Sequence, residues 1–380
     1  MRVRKLSNSI DVKRYLKDLG VDGGGVNILA SKAKRHIIYV KDLHVGAANI
    51  LKQDALSIGA DLAVPRGTVL AITPKVDCIL IATGRELEIL AKKELAQPFG
   101  LKELAKELQK ICKVEQAKKV QIMGVINAND DSFFSGSRFK GEDAIAKITR
   151  MIEDGADVID IGGVSSKPNA AMVSASEELE RLRPILQAIK QEKLYESVRF
   201  SVDSYEPSVI ASALDSGFSV VNDITGLAND EVCKLCASYD ATVVIMHMLG
   251  TPQTMQDDPT YSDVLDDVYD FLQERANKAE AFGVKDVILD VGVGFGKTLE
   301  DNLRLIKHLE RFATLEKPLL VGASRKSMID KISSCDVKDR LGGTLALHLE
   351  AVRNGASMLR VHDVYEHKQA LLTYEALLGV

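Results

Sequence analysis

The chain lacks the sequence features of membrane, secreted and nucleic-acid-binding proteins. No stretch approaches the ~18 consecutive apolar residues of a membrane span, and no apolar segment follows the first residues, MRVRKLSNSID. We therefore expect no membrane partner and no secretory signal. The formal net charge is −5, which argues against a nucleic acid partner. Together these absences predict a cytoplasmic protein.

Cysteine is also scarce. The 380 residues include five cysteines, an odd number that is too small for a disulfide scaffold, and this favours a reducing compartment. Cys233 and Cys236 form a CxxC, but they lie in a predicted helix, 230–239, without a second pair or a histidine cluster nearby. A pair that faces the core is a better interpretation than a metal or redox centre.

What the chain has instead is a repeat of short apolar runs. Eight runs follow one another from about residue 120, most of them end in polar residues, and segments with helical apolar spacing separate them. This pattern is typical of a (β/α)8 barrel, whose strands are buried on both faces. We predict an α/β fold with a TIM barrel over residues 116–380, its strands lying in Val120–Ile126, Val158–Ile161, Phe200–Val202, Val220–Val221, Val243–Met246, Val287–Leu289, Leu319–Val321 and Met358–Val361.

Residues 1–115 precede the barrel and have the pattern of a folded domain. Apolar runs at 36–40 and 78–82 alternate with helical stretches at 47–57, 86–95 and 101–112. No group of residues in this segment suggests a chemistry. We predict a small α/β accessory domain whose role the sequence does not reveal.

Carboxylates and amides lie in or directly after five of the first six barrel runs. The C-terminal strand ends of such a barrel meet at one rim, where its active sites lie. Such side chains suit a flat heterocycle that carries an amide and an amino group. Any one of them could instead cap a helix or complete a turn, but five on one rim favour a site formed by Asn127, Asp160, Asp203, Asn222 and Asp290.

Basic side chains lie in or after the seventh and eighth runs: Arg325, Lys326, Arg360 and His362. This part of the rim is where barrels most often hold phosphate, and guanidinium and ammonium groups suit an anionic leaving group. Surface salt bridges are the alternative. An anion site is the better interpretation, because a strand end is a poor place for an ordinary surface charge.

A glycine-rich loop, 292–298, follows the sixth run. It is not a Walker A loop, because Val291 stands where the first glycine is needed. Its glycines are expected to let the backbone approach a ligand closely, with Phe295 as an apolar wall. His247, after the fifth run, has no partner at metal-ligand spacing. Packing or a hydrogen bond to a neighbouring group is therefore its expected role.

These motifs together resemble dihydropteroate synthase over the barrel, from about residue 121 to the C-terminus. The first is MGVINANDDSF (123–133) and the second is DIGGVSSKP (160–168). Six more follow in the order of the family: SVDS (201–204), VNDI (221–224), MHMLGTPQTMQ (246–256), LDVGVGFGKT (289–298), VGASRKSMI (321–329) and RVHDV (360–364).

The resemblance implies a transferase of folate biosynthesis that joins 6-hydroxymethyl-7,8-dihydropterin pyrophosphate to p-aminobenzoate and releases pyrophosphate. It implies Mg²⁺, a homodimer and a sulfonamide target. The pterin would be held by Asp203, Asn222, Asp290 and Lys326. The pyrophosphate would be held by Asn127, Ser166, Lys167, Arg360 and His362, with the metal at Asn127. The p-aminobenzoate site would be bordered by Phe133, Phe295, Lys326 and Ser327, and the catalytic residues would be Asp203, Lys326 and Asn127.

The chain departs from the family pattern in two loops. The first loop commonly reads TPDSF but here reads NDDSF (129–133), which removes a proline and adds a carboxylate. The second commonly reads ESTRPG and here reads VSSKPN (164–169), where Lys167 keeps the charge without the bidentate fork. A third change is Val291, which replaces a proline. These changes affect the loops around p-aminobenzoate and the metal more than the pterin pocket.

Two other functions remain open from the sequence. A pterin-binding methyltransferase of the tetrahydrofolate–corrinoid type shares the barrel and a similar pterin pocket, but it handles no pyrophosphate, so the basic groups on the last two runs disfavour it. A pterin-binding protein without catalysis is the second alternative, because of the altered loops.

Overall fold

The computed structural model describes residues 1–4, 6, 10–113, 119–128, 140–164 and 173–378. The chain forms two compact units, one of Met1–Glu115 with Glu375–Val380 and one of Gln116–Tyr374. Among the described residues, no helix combines the length and the apolar character that crossing a bilayer requires.

The first unit is a three-stranded antiparallel sheet with helices. The strand order is β1-β3-β2. Alternate residues of β3 face the core, so that Val76, Cys78, Leu80 and Ala82 are buried while the residues between them are more exposed. This confirms the predicted small α/β domain, whose elements are α1 (Val12–Asp18), α2 (Gly23–Ala33), β1 (Arg35–His44), α3 (Val45–Ile58), β2 (Asp61–Ala63), β3 (Lys75–Thr83), α4 (Gly84–Glu94) and α5 (Leu101–Lys113).

Helix α4 shows how local sequence positions the core of this unit. Thr83 caps its N-terminus, and the side chain of Glu86 accepts a hydrogen bond from the Thr83 backbone in return. Leu87, Leu90 and Glu94 then recur at helical spacing and are fully buried. A carboxyl group therefore occupies a core position of the helix.

The second unit is a closed barrel of eight parallel strands in the order β10-β11-β4-β5-β6-β7-β8-β9, which confirms the predicted TIM barrel. Its strands are β4 (Gln121–Asn127), β5 (Val158–Gly162), β6 (Arg199–Asp203), β7 (Val220–Asp223), β8 (Thr242–Met246), β9 (Val287–Asp290), β10 (Leu319–Val321) and β11 (Met358–Val361). Its helices are α6 (Lys140–Glu153), α7 (Ala175–Glu192), α8 (Pro207–Leu214), α9 (Asp230–Ser238), α10 (Val264–Ala281), α11 (Leu299–Lys307), α12 (Ser327–Ile332), α13 (Leu341–Arg353) and α14 (Val364–Leu378).

The alternation of side chains along the strands decides which polar residues face the barrel interior. One buried cluster fills the inside of the barrel: Met123, Val158, Val220, Val244, Ile288, Leu320 and Met358. Side chains two positions further along a strand point the same way. The polar residues that follow these apolar ones at that spacing therefore lie above the cluster, inside the rim, and they are Asp160, Asn222, Asp290 and Arg360.

Helix α9 carries the CxxC. Cys233 and Cys236 are both buried in the main hydrophobic cluster between strands and helices, and neither forms a disulfide. The predicted core-facing pair is confirmed.

Candidate active site

One hydrogen-bonded network joins four strands at the barrel rim. Arg360 on β11 donates from Nε to Asp160 Oδ2 at 2.6 Å and from Nη2 to Asp203 Oδ2 at 2.6 Å. Asn222 donates from Nδ2 to the same Asp160 oxygen at 3.2 Å. Asp160 is fully buried, and its other carboxylate oxygen, Oδ1, has no hydrogen-bond partner among the described residues. Asp160 thus holds Arg360 and Asn222 in place at the floor of the pocket.

The charges in this pocket are strongly coupled. Burial raises the pKa of Asp203, and the nearby Arg360 opposes this effect while the carboxylate of Asp160 adds to it. Burial opposes the charge on Arg360, but Asp160 and Asp203 together hold its pKa above the ordinary value. The guanidinium of Arg360 lies between two carboxylates and offsets much of their charge, and a carboxylate oxygen that remains free suits a ligand that offers N–H donors.

Asp290 and Lys326 both form hydrogen bonds to the glycine-rich loop. Burial raises the pKa of Asp290, although its Oδ1 accepts a 2.8 Å hydrogen bond from the backbone N–H of Gly292. Burial lowers the pKa of Lys326 to about 8, against the opposing attraction of Asp290. Lys326 Nζ donates to the carbonyl of Val293 and lies 4.4 Å from the centre of the Phe295 ring. The predicted apolar wall therefore lies beside the amine of Lys326.

The glycines of this loop are required by its close approach to neighbouring chain. Gly292 has a φ of +67°, and a Cβ there would lie 1.9 Å from the carbonyl oxygen of His247. Gly294 has a φ of +84°, and a Cβ there would lie 3.1 Å from Cδ of Lys326. Only glycine meets both conditions at these positions.

A buried lysine fixes the same loop. Lys297 is 2% exposed, and its Nζ donates to His247 Nδ1 at 2.9 Å, to Phe295 O at 2.9 Å and to His247 O at 3.3 Å. Burial lowers the pKa of Lys297 to about 7 and that of His247 to about 3. His247 also packs edge-on against Phe271. The predicted role of His247, packing or a hydrogen bond, is confirmed.

The loops after β10 and β11 are joined to each other. Arg325 pairs with both carboxylate oxygens of Asp363, at 2.9 Å from Nε and 2.5 Å from Nη2. Ser324 Oγ is 2.9 Å from His362 Nδ1 and accepts a hydrogen bond from the His362 backbone N–H at 3.2 Å. Of the four basic groups predicted for an anion, Arg325 is therefore committed to the loop structure.

The remaining predicted site residues divide into two groups. Asn127 ends β4 and is half-buried, Ser327 begins α12 and is exposed, and His362 is exposed beside β11. Phe133, Ser166 and Lys167 lie outside the described residues. The roles of all these side chains toward a ligand stay predictions.

Three contacts that shape the pocket were not predicted from the sequence. Asp160 was one of five polar rim residues, but its function as the anchor of Arg360 depends on barrel closure. Asp363 and Lys297 lay within motifs but were assigned no contact. The signal that could have identified Asp363 was a carboxylate directly after the basic strand end, as in RVHD (360–363).

Comparison with known proteins gives one consistent result. Residues 123–362 match the model of the family described as pterin binding enzyme. The bifunctional dihydropteroate synthase/dihydropteroate reductase of Helicobacter pylori is 40% identical over 377 residues, which cover 99% of each chain. The dihydropteroate synthase of Synechocystis sp. is 40% identical over 265 residues, 68% of this chain and 91% of that one. The structure of Yersinia pestis dihydropteroate synthase with a sulfonamide drug complex superimposes with a TM-score of 0.65 at 36% identity, covering 70% of this chain and 97% of that chain.

Proposed function

Because the chain belongs to the pterin-binding enzyme family and has the dihydropteroate synthase activity of its relatives, we propose how its barrel carries out that reaction. The observation that carries the proposal is the network of Arg360 with Asp160 and Asp203 at the rim. It places a fixed cation beside carboxylates at the point where a pterin pyrophosphate needs both.

The pterin ring binds above the apolar floor of the barrel. Each carboxylate has two oxygens, so Asp203 can bond to Arg360 through Oδ2 and still accept an N–H of the pterin through Oδ1. Asn222 and Asp290 offer an amide and a second carboxylate to the other polar edge of the ring. Lys326, held against the loop that carries Phe295, closes the remaining side.

Carbon–oxygen cleavage is assisted from both ends of the substrate. Loss of pyrophosphate from the exocyclic methylene leaves positive charge that the pterin ring delocalises, and Asp203 stabilises it. Arg360 and His362 bind the departing anion. The amine of p-aminobenzoate is neutral at pH 7, so it attacks the methylene without a strong base and then loses its proton to solvent. No covalent bond to the protein is formed.

A magnesium ion fits the rim at Asn127. This residue ends β4 and offers an amide oxygen, and Mg²⁺ commonly takes one or two protein oxygens together with substrate phosphates and water. Within the part of the chain that the structure describes, no three His, Cys, Asp or Glu side chains form a metal site. The pyrophosphate would therefore complete the coordination. When bound, the ion supplies positive charge to the leaving group.

The p-aminobenzoate site borders the glycine-rich loop. Phe295, Lys326 and Ser327 form its described part, and Phe133 would belong to it from outside the described residues. A sulfonamide mimics the same aniline and acid groups, so we propose that sulfonamides compete with p-aminobenzoate here. Inhibition that p-aminobenzoate cannot relieve would contradict this assignment.

A second candidate function is reduction of the product. The Helicobacter pylori relative named for both activities aligns with residues 1–115 as well as with the barrel. Reduction of 7,8-dihydropteroate adds a hydride to C6 and a proton to N5, so it needs a hydride donor such as a reduced nicotinamide or flavin. Loss of absorbance of reduced nicotinamide, with and without added flavin, tests it. No oxidation of either donor in the presence of dihydropteroate would rule it out.

We also propose that the protein is a cytoplasmic homodimer. The proposal follows the family, and light scattering at micromolar concentration tests the assembly. A mass of one chain would contradict it.

Release of pyrophosphate tests the main proposal. The full chain with both substrates and Mg²⁺ should release pyrophosphate and form dihydropteroate, and chelation of the metal should stop turnover. Asp203→Asn and Lys326→Ala should each lower kcat/KM by at least about 100-fold, with circular dichroism unchanged. A barrel that binds the pterin but releases no pyrophosphate would support the non-catalytic alternative.

A further inference from the structure

Two buried histidines connect the loops that follow β10 and β11. His348 lies on α13 and His367 on α14, and each is 1% exposed. His348 Nδ1 is 2.8 Å from His367 Nε2. At its other end, His348 Nε2 is 2.9 Å from the backbone nitrogen of Ala323, and His367 Nδ1 is 2.6 Å from the carbonyl oxygen of Asp363. The four groups form one continuous chain of hydrogen bonds.

The direction of this chain is fixed by its two ends. The backbone N–H of Ala323 can only donate, so His348 Nε2 must accept and carries no proton. His348 is then neutral, with its proton on Nδ1, and donates to His367 Nε2. His367 must likewise carry its proton on Nδ1, which donates to the carbonyl of Asp363. Burial lowers the pKa of both histidines, which keeps them neutral.

The hydrogen bonds of the two histidines hold a strained segment, 323–325, that leads directly to Lys326. Arg325 has a φ of +56°, a conformation that costs a non-glycine residue free energy and persists only when its surroundings hold it. Its N–H donates to Thr344 Oγ1 at 2.9 Å, and its carbonyl accepts from Arg340 Nη1 at 3.1 Å. The bond from Ala323 to His348 is a third attachment of the same segment to helix α13 and its N-cap residue, Arg340.

At its far end the chain holds the segment that carries His362. The carbonyl oxygen of Asp363 accepts a hydrogen bond from His367 Nδ1, and its carboxylate pairs with Arg325. The loops after β10 and β11 are thus joined on the outside of the rim through α13 and α14, and directly at the rim through Arg325. Together the two connections fix the separation between Lys326 and His362.

We propose that His348 and His367 are positioning residues for the synthase reaction. The directed chain holds the backbone of Ala323 and Asp363 so that Lys326 and His362 approach opposite ends of one pterin pyrophosphate. This inference rests on the proposed function, in which Lys326 binds the pterin and His362 the pyrophosphate. Neither histidine touches the substrate.

Nitrogen NMR of the wild-type protein, labelled in its seven histidines, tests the direction of the hydrogen bonds between His348 and His367. At neutral pH, both rings should be neutral with the proton on Nδ1, whereas a histidine in water favours Nε2. The His348→Gln and His367→Gln variants assign the two sets of signals. A charged ring, or a proton on Nε2 of either one, would overturn the proposal.

Steady-state kinetics test the positioning role. His348→Leu and His367→Leu should each lower kcat/KM for the pterin pyrophosphate by at least about tenfold, because small displacements of binding groups cost rates of this order. The double variant should fall no further than the worse single one, since each breaks the same chain. His308→Leu, at an exposed histidine, is the matched control and should keep the wild-type rate.

Two conservative variants guard against a folding defect. His348→Gln keeps an acceptor for the N–H of Ala323, and His348→Asn keeps a donor for His367. Each should therefore recover part of the activity that His348→Leu loses. Wild-type kinetics in folded Leu variants, or losses that add in the double variant, would refute the positioning role. A wild-type protein that releases no pyrophosphate would instead refute the proposed function. The NMR result would still decide whether the histidine hydrogen bonds have the stated direction.

Discussion

At the scale of single residues, the site depends on Arg360 and its two carboxylate partners. The sequence predicted the types of side chain at the rim, because strand ends of a barrel meet there. It did not predict that Arg360 would bond to Asp160 and Asp203, 200 and 157 positions earlier in the chain. Such pairs depend on how the barrel closes and on side-chain rotamers, neither of which spacing reveals.

Replacement of Arg360 by lysine should show how much the fork geometry contributes. Arg360→Lys keeps the positive charge but replaces the rigid planar fork by a compact ammonium on a flexible stem, so the two carboxylates are no longer held at fixed positions and we expect kcat/KM to fall about 100-fold. Arg199→Lys is the control, since Arg199 lies at the start of β6 and bonds to Gln121. Equal effects of the two substitutions in pyrophosphate release would contradict the role of Arg360.

Lys297 should act on p-aminobenzoate through the glycine-rich loop. Lys297→Met removes the donor for His247 Nδ1 and Phe295 O, so the wall formed by Phe295 loses its support. We expect KM for p-aminobenzoate to rise about tenfold, equivalent to one lost hydrogen bond of about 1.4 kcal/mol, and KM for the pterin pyrophosphate to rise less. Lys307→Met, at an exposed lysine, is the control. A larger rise for the pterin substrate would count against this role.

At the scale of elements, the barrel was readable because its strands are buried on both faces and therefore remain apolar for their whole length. The strand β6, for example, was predicted at Phe200–Val202 and spans Arg199–Asp203. The hydrogen bonds between His348 on α13 and His367 on α14 could not be predicted from the sequence. The two residues lie 19 positions apart on two helices, and no periodicity links them. The loops at 129–133 and 164–169 depart from the family pattern in sequence, and apart from Val164 they lie outside the described residues.

Helix α4 makes the first unit sensitive to pH. Burial, aided by the carboxylate of Asp54, raises the pKa of Glu94 from 4.5 to about 7. The folded state therefore retains a proton that the unfolded chain has lost, and the free energy of unfolding should fall as pH rises from about 4.5 to about 7. Above that range the loss stays constant.

Glu94→Gln should remove this dependence. At pH 8 we expect the variant to be more stable than the wild type by about 3 kcal/mol, given 1.36 kcal/mol for each unit of pKa shift, and at pH 4 the two should be equal. Thermal unfolding at both pH values measures the difference. Glu88→Gln, at an exposed glutamate on the same helix, is the control. An equal gain at both pH values would contradict the effect of burial.

At the scale of the whole molecule, the chain combines the barrel with a unit that the sequence could not interpret. The apolar pattern of residues 1–115 was sufficient for a fold prediction, because the spacing of apolar residues indicates which side chains are buried. It carried no cluster of reactive side chains, and so it gave no function. The full-length match to a relative with two named activities makes reduction of dihydropteroate the first function to test in this unit.

We propose that the polar rim of the barrel binds the pterin pyrophosphate between Asp203, Asn222 and Asp290, with Lys326 and His362 at its two ends. A crystal structure of the chain with this substrate, or with a non-hydrolysable analogue, tests it most directly. We expect N–H groups of the ring to lie within hydrogen-bond distance of Asp203 and Asp290, and phosphate oxygens to lie beside Arg360 and His362. A pterin bound elsewhere, with the pocket around Asp203 filled by water, would contradict it.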